Sequence, residues 1–182
     1  MLICEAGNGK IVGSPEPEVN VLRTPDFRTQ KTDHMIRGFL KLAVVEDDKS
    51  SKKLFQKAIN ESTLVAGMIF FQQSNELLEY IDGPQNHVPD IIFLKLDPMV
   101  KNFLKDLRQV RKQHQLRNTL IVIYSSGASE QLIEDTFVYG ANVYMDKPHT
   151  YEKFREVVEK ILKINFQYLE SNLNIENFIY RT

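Results

Sequence analysis

Residues 89–95 read Pro-Asp-Ile-Ile-Phe-Leu-Lys, and this stretch decides how the rest of the chain is interpreted. The four consecutive apolar residues 91–94 are typical of a strand that is buried on both faces in the middle of a parallel sheet. Lys95 follows directly, so this strand is expected to carry a cation at its carboxyl end. The residues that end the neighbouring strands determine what this cation meets.

Strand and helix patterns alternate through residues 39–165. The predicted elements are strand 39–45, helix 49–60, strand 68–71, helix 74–81, strand 91–94, helix 100–113, strand 120–124, helix 130–139, strand 142–145 and helix 151–169. Such alternation predicts a doubly wound α/β fold, in which a five-stranded parallel sheet is covered by helices on both faces. In sheets of this kind, functional side chains gather beyond the carboxyl ends of the strands.

The segments on either side of this unit lack its periodicity. Residues 1–38 are expected to form an arm that is disordered or folds into a small hairpin around residues 7–9. A translation start at Met35 remains an open alternative. Residues 166–182 are expected to be a helix extension and a C-terminal tail, with no output domain after them. The length of 182 residues and the 42% hydrophobic content favour a single folded domain, residues 39–165.

Composition and charge argue against several classes of protein. With 23 basic and 24 acidic residues, the net charge of -1 provides no global field that attracts nucleic acid or an anionic membrane. The single cysteine, Cys4, fits a reducing compartment, and no apolar run approaches the roughly 20 residues that cross a bilayer. We therefore expect a soluble cytoplasmic protein that binds neither nucleic acid nor membranes.

Four sequence motifs lie at the carboxyl ends of predicted strands. They are Val44-Val45-Glu46-Asp47-Asp48, Pro89-Asp90-Ile91-Ile92-Phe93-Leu94-Lys95, Ile121-Val122-Ile123-Tyr124-Ser125-Ser126 and Gly140-Ala141-Asn142-Val143-Tyr144-Met145-Asp146-Lys147-Pro148. In this order they resemble the receiver domain of two-component response regulators, particularly the small stand-alone receivers found beside phytochrome-type kinases. The resemblance covers residues 39–165. It implies a flavodoxin-like or CheY-like three-layer fold and a histidine kinase or another phosphorelay protein as partner.

The resemblance also implies a role for each matching residue. In a working receiver an acidic pair holds Mg²⁺, an aspartate accepts the phosphoryl group, a Ser/Thr and a Lys bind its oxygens, and an aromatic side chain moves inward. The corresponding residues are Glu46 and Asp47 for the acidic pair, Ser125 and Lys147 for the phosphate site, and Tyr144 for the switch aromatic. The resemblance further implies a cis peptide bond before Pro148. At the acceptor position this chain has Lys95.

A lysine at the acceptor position changes the expected chemistry. An ammonium group cannot form an acyl phosphate, and its charge opposes binding of a metal ion. Two unit charges about 4 Å apart interact by on the order of 4 kcal/mol at an effective dielectric of about 20, and a third of this energy would weaken Mg²⁺ binding roughly tenfold. We hypothesise that Lys95 pairs with Glu46 and Asp47 in place of the ion. No cofactor is therefore expected, and Mg²⁺, if the acidic pair retains it, binds weakly.

Three functions are compatible with this site. The first is a degenerate receiver without catalytic residues, which signals by protein contact and without aspartate phosphorylation. The second is an active receiver that is phosphorylated at a displaced carboxylate, Asp97, which lies about 6.6 Å of strand rise beyond Lys95. The third is an unrelated doubly wound domain that binds a small anion between Lys95, Ser125 and Lys147.

The last predicted helix carries more apolar residues than one sheet face needs. Its later members and those of the tail are expected to meet a second subunit or to pack beneath the arm: Phe166, Leu169, Leu173, Ile175, Phe178 and Ile179. The resemblance implies that the face formed by the fourth helix, the fifth strand and the fifth helix binds partners. A homodimer through this face is therefore predicted.

Overall fold

The computed structural model describes residues 39–83, 88–97, 102–171 and 178–180. The predicted arm 1–38, with Met35, the hairpin and Cys4, lies outside the described residues. So do residues 172–177 and 181–182 of the predicted tail, together with the loop 98–101. The apolar side chains that follow Ile164 on the last helix also lie outside this description, so their predicted contacts remain predictions.

The described ranges contain six strands and five α-helices. They are β1 Phe39–Val45, α1 Lys49–Asn60, β2 Val65–Phe71, α2 Ser74–Asp82, β3 Ile91–Lys95, α3 Phe103–Lys112, β4 Leu120–Ser125, α4 Glu130–Val138, β5 Val143–Asp146, α5 Tyr151–Ser171 and β6 Phe178–Tyr180. A short 3₁₀ turn, His114–Leu116, precedes β4. The five predicted strands and five predicted helices are confirmed, and no end is displaced by more than three residues.

The sheet has the strand order β2-β1-β3-β4-β5-β6, and neighbouring strands are parallel. The order reverses at β1, because the chain adds β2 on one side and then crosses back to place β3 on the other. The register sets Val45 beside Leu94, so the next residues, Glu46 and Lys95, leave the sheet side by side. This reversal point is where doubly wound sheets place their binding crevice.

The strand β6 was not predicted. It pairs with β5 in parallel, with Val143 beside Phe178 and Met145 beside Tyr180. Residues 166–182 were expected to contain only a helix extension and a tail, so the sheet has one strand more at its β5 edge than the five-stranded sheet expected. Three residues are too few to show the alternation by which a strand is predicted.

Helices cover both faces of the sheet, as the alternation predicts. One apolar layer lies between the sheet and helices α1 and α5, and the other lies between the sheet and helices α2, α3 and α4. Phe55 of α1 lies at the centre of the first layer, with ring centroids 4.9–5.3 Å from those of Phe93, Tyr124 and Phe154. No helix in the part of the chain that the structure describes combines the length and apolar character needed to span a membrane.

Arg111 ties the end of α3 to the turns that precede β4 and β5. Its Nε donates to the carbonyl oxygen of Gly140 at 2.8 Å, and its Nη2 donates to Asn142 Oδ1 at 2.6 Å. Its Nη1 donates to the carbonyl oxygens of Leu116 and Thr119. Gly140 has φ +108°, and a Cβ there would lie 2.6 Å from Arg111 Cγ. The close approach of Arg111 therefore requires glycine at this turn.

Alanine substitutions at two glycines test this close approach. Gly127 also has positive φ, +85°, but an added Cβ would meet no atom within 4 Å. We expect Gly127→Ala to lower the free energy of unfolding by about 1 kcal/mol, the conformational cost alone. Gly140→Ala should lower it by about 2–4 kcal/mol, because overpacking is added. Urea unfolding measures both, and equal losses would contradict the assigned role of Arg111.

Candidate functional site

A cleft of about 220 Å³ opens at the carboxyl ends of β1, β3 and β4. Its lining residues are Glu46, Lys95, Leu96, Asp97, Tyr124, Ser125, Ser126 and Lys147. The structure therefore brings Glu46 of the acidic pair, the residue at the acceptor position, the alternative acceptor and both phosphate-site residues to one place. Asp47 does not line the cleft but contacts Lys95. Tyr144, the predicted switch aromatic, lies inside the domain and does not line the cleft.

Lys95 bridges the acidic pair. Its Nζ donates to Glu46 Oε1 at 3.0 Å and to Asp47 Oδ1 at 2.6 Å. The three side chains differ in exposure: that of Glu46 is fully buried, that of Lys95 is 34% exposed, and that of Asp47 is 69% exposed. Lys95 therefore connects the buried carboxylate of Glu46, which is removed from solvent, to the carboxylate of Asp47, which remains largely hydrated.

The pKa values of this cluster reflect the bridge. The hydrogen bond from Lys95 lowers the pKa of Asp47 to about 2. Partial burial of Lys95 by itself lowers the pKa of the ammonium, but the hydrogen bonds and charges of Asp47 and Glu46 outweigh burial and raise this pKa above its usual value. Both groups are therefore held in their charged forms at neutral pH.

Tyr124 completes the surroundings of Glu46. Its hydroxyl donates to Glu46 Oε2 at 2.9 Å, so each oxygen of this buried carboxylate accepts a hydrogen bond. Burial, and then the nearby charge of Glu46, raise the pKa of Tyr124 well above its usual value, which keeps the phenol a donor. This role of Tyr124 was not predicted. Its signal in the sequence is a phenol at the end of an apolar strand, one residue before the predicted phosphate-site serine.

Lys147 is directed toward helix α1. Its Nζ donates to Ser51 Oγ at 2.6 Å, and Ser51 Oγ donates in turn to Asp48 Oδ2 at 2.9 Å. Asp48 is the N-cap of α1, because its Oδ2 also accepts from the Ser51 backbone N–H at 2.6 Å. The part played by Ser51 was not predicted. The peptide bond between Lys147 and Pro148 is trans, so the implied cis bond is wrong.

Ser125 lines the cleft, and Tyr144 of the neighbouring strand lies behind it. Ser125 is 2% exposed, and its Oγ has no hydrogen-bond partner among the described residues. The Tyr144 hydroxyl donates to Asp146 Oδ1 at 3.0 Å. Burial, and then Asp146, raise the pKa of Tyr144 to about 12. Tyr144 is thus in an inward position, fixed by a residue of its own strand.

Asp97 is the other carboxylate of the cleft. It is exposed and lies two residues beyond Lys95 along the chain. Within the described ranges, no three His, Cys, Asp or Glu side chains converge in a way that could hold a metal ion.

Comparison with known proteins identifies the fold. No family model matches the chain, and no curated protein is significantly similar to it. Among solved structures, the phosphorylated cyanobacterial phytochrome response regulator RcpA is 23% identical, with a TM-score of 0.60, and the match covers 75% of this chain and 98% of that one. A response regulator of red-light signalling in R. palustris is 19% identical, with a TM-score of 0.61 and coverages of 75% and 97%.

A third neighbour is the Mn²⁺-bound form of the response regulator Rcp1, which is 18% identical with a TM-score of 0.60. The match covers 75% of this chain and 98% of that one. These structural neighbours are response-regulator receiver domains, and they confirm the predicted flavodoxin-like, CheY-like fold. At such low identity, the comparison establishes the fold alone.

The bridge made by Lys95 can be tested through stability. Lys95→Met keeps most of the side-chain volume but leaves Glu46 buried without its cation, so the free energy of unfolding should fall by about 2 kcal/mol. The matched control, Asp47→Asn, alters the exposed partner and should cost less than about 1 kcal/mol. Chemical denaturation measures both. A loss in the control as large as that in Lys95→Met would show that the buried carboxylate is not the group that Lys95 stabilises.

The pH dependence of stability in acid tests the contact between Lys95 and the exposed Asp47. The pKa of Asp47 is lower in the folded state, so this group contributes stability above its unfolded pKa, and the contribution is lost as the pH falls from about 4 toward about 2. We expect Asp47→Asn to flatten the fall in melting temperature over this range. Asp82→Asn, at an exposed position at the end of α2, is the control and should retain the wild-type slope. An unchanged slope in Asp47→Asn would contradict the contact with Lys95.

Proposed function

We propose that this protein is a degenerate receiver module of a two-component phosphorelay, which signals by protein contact and without phosphorylation of an aspartate. One observation carries the proposal: the ammonium of Lys95 lies at the end of β3 and contacts an oxygen of each member of the acidic pair, at 3.0 Å and 2.6 Å. Lys95, at the acceptor position, and the acidic pair Glu46 and Asp47 therefore form a single internal ion bridge.

The acidic pair does not fit a divalent ion while this bridge is in place. Oxygen ligands must face Mg²⁺ directly, but both oxygens of the Glu46 carboxylate already accept hydrogen bonds. Oε1 accepts from Lys95 and from the Asp48 backbone N–H, and Oε2 accepts from Tyr124. An ion bound beside Lys95 would also meet a positive charge at close range. We infer that the domain works without Mg²⁺, and no step of the proposed function passes through a metal.

Two residues of the implied phosphate site are retained, while the acceptor position between them holds Lys95. The Ser125 hydroxyl is buried and finds no partner among the described residues, and Lys147 lines the cleft, although its ammonium is bonded to Ser51. Neither residue can replace an acceptor carboxylate, because phosphoryl transfer requires a nucleophile in line with the leaving group. These residues support a receiver frame from which the acceptor chemistry is missing.

Signalling must then pass through contacts. A histidine kinase or another phosphorelay protein is the proposed partner, because the structural neighbours of this chain are response regulators. The proposed contact face is formed by α4, β5 and α5, with β6 lying along the outer edge of β5. A homodimer through the same face is part of this proposal.

A second function has one observation in its favour. Asp97 lines the same cleft as Ser125 and Lys147, so a displaced acceptor would lie near residues suited to bind a phosphoryl group. In this alternative the protein is an active receiver that takes the phosphoryl group on Asp97.

Treatment with acetyl phosphate and Mg²⁺ separates the two functions. We expect no hydroxylamine-sensitive phosphate on the wild-type chain by intact-mass spectrometry. Lys95→Asp places a carboxylate at the acceptor position, and this variant should gain one phosphate. Wild-type labelling that is lost in Asp97→Asn would establish the second function and reject the first.

The Lys95→Asp variant also tests whether Lys95 prevents Mg²⁺ from binding. Addition of Mg²⁺ should leave the melting temperature of the wild-type domain unchanged within about 1 °C, whereas it should raise that of Lys95→Asp by several degrees, because a ligand that binds only the folded state stabilises it. Circular dichroism checks that Lys95→Asp is folded before either assay. A comparable increase for the wild-type chain would reject the metal-free interpretation.

A further inference from the structure

The outer edge of β5 is occupied by the C-terminal end of the same chain. Strand β6 pairs in parallel along β5, and the middle pair of the register is Tyr144 beside Ile179. On its other side β5 pairs with β4. Both edges of β5 are therefore hydrogen-bonded, and its residues Val143, Tyr144 and Met145 are 0% exposed.

An edge strand without a neighbour presents a row of backbone N–H and C=O groups to solvent, and such a row is a template for an added strand. Without β6, β5 would be an edge of this kind. The covering strand is only three residues long, and it is the last element of the described chain. Its departure therefore disturbs no other pairing of the sheet, whereas the removal of any inner strand would divide the sheet.

The edge is connected to the candidate site. Strand β5 ends at Asp146, which accepts the hydrogen bond from Tyr144, and Lys147 of the cleft follows directly. The Lys147 backbone N–H donates to the Ser125 carbonyl at 2.7 Å. A segment that pairs with β5 therefore contacts the strand that positions Lys147 in the cleft.

We propose that the outer edge of β5 is a strand-addition site for an extended segment of a partner protein, and that the chain's own β6 occupies this site as a competitor. The occupant already present defines the chemistry of the partner, which is a short segment of aromatic, β-branched and aromatic residues that pairs in parallel with β5. Backbone hydrogen bonds supply the affinity in this mode of recognition, and the alternate side chains supply the selectivity. This proposal goes beyond the proposed function and does not depend on whether the chain is phosphorylated.

Competition from β6 can be measured through the binding of a free peptide to β5. Because β6 belongs to the same chain, it acts at a high effective concentration, and a free segment of equal affinity binds poorly until β6 is released. Releasing β6 should therefore create a binding site, and a partner that provides more contacts than three residues should displace β6 directly.

The test uses the full-length chain with two substitutions, Phe178→Pro and Ile179→Pro. Adjacent residues of a strand direct their N–H groups to opposite sides, so this pair removes the donor that faces β5 whichever residue supplies it. The matched control is Phe178→Val with Ile179→Val, which keeps both donors. The probe is a synthetic peptide of residues 176–182, labelled at its amino terminus, and the comparison peptide carries proline at both central positions.

We expect the double-proline variant to bind the probe at least tenfold more tightly than the wild-type chain and the valine control, as measured by fluorescence anisotropy. The comparison peptide should not bind. In NMR spectra of the variant, the probe should shift the backbone amide signals of Val143, Tyr144 and Met145. Far-ultraviolet circular dichroism establishes that the variant is folded, and in the wild-type chain the β5 amides whose N–H groups face β6 should exchange faster than the amides of β3.

The proposal is overturned if the folded double-proline variant does not bind the probe, or if the wild-type chain binds it equally well. A dimer of the variant that the probe disperses supports an open edge that pairs with a second copy. A dimer that persists at saturating probe overturns the proposal, because β5 would not be the surface involved. These outcomes do not depend on the acetyl phosphate assay, so failure here leaves the proposed function standing.

Discussion

The buried carboxylate of Glu46 is the constraint on which the rest of the site depends. Removing an ionised carboxylate from water costs several kcal/mol unless its oxygens find partners. Lys95 at the end of β3 serves one oxygen, and Tyr124 on β4 serves the other. Tyr124 is held in turn by Phe55 of α1, whose ring lies 5.3 Å away. The contacts around Glu46, which follows β1, therefore connect β1 to β3, to β4 and, through Phe55, to α1.

Much of the fold was predictable because it follows from local patterns. The apolar runs 91–94 and 120–124 are buried on both faces, and their alternation with amphipathic helices leaves few topologies. The positions of Glu46, Lys95, Ser125 and Lys147 followed as well, because parallel strands bring their carboxyl ends to one edge.

What the sequence did not reveal depends on side-chain conformation and on short-range geometry. The hydrogen bond from Tyr124 to Glu46 joins residues 78 positions apart. The contact of Lys147 with Ser51 follows from the conformation of a long side chain, which no spacing determines. Strand β6 is too short for a period, and the trans bond before Pro148 contradicts what the resemblance implied.

The hydrogen bonds of Arg111 fix the position of one end of helix α4. The guanidinium of Arg111 holds the carbonyl oxygen of Gly140 and the side chain of Asn142, so the carboxyl-terminal end of α4 is anchored to α3. The opposite end of α4 follows Gly127, beside which there is open space. A rotation of this helix would therefore pivot about its anchored end and swing the end nearest the cleft.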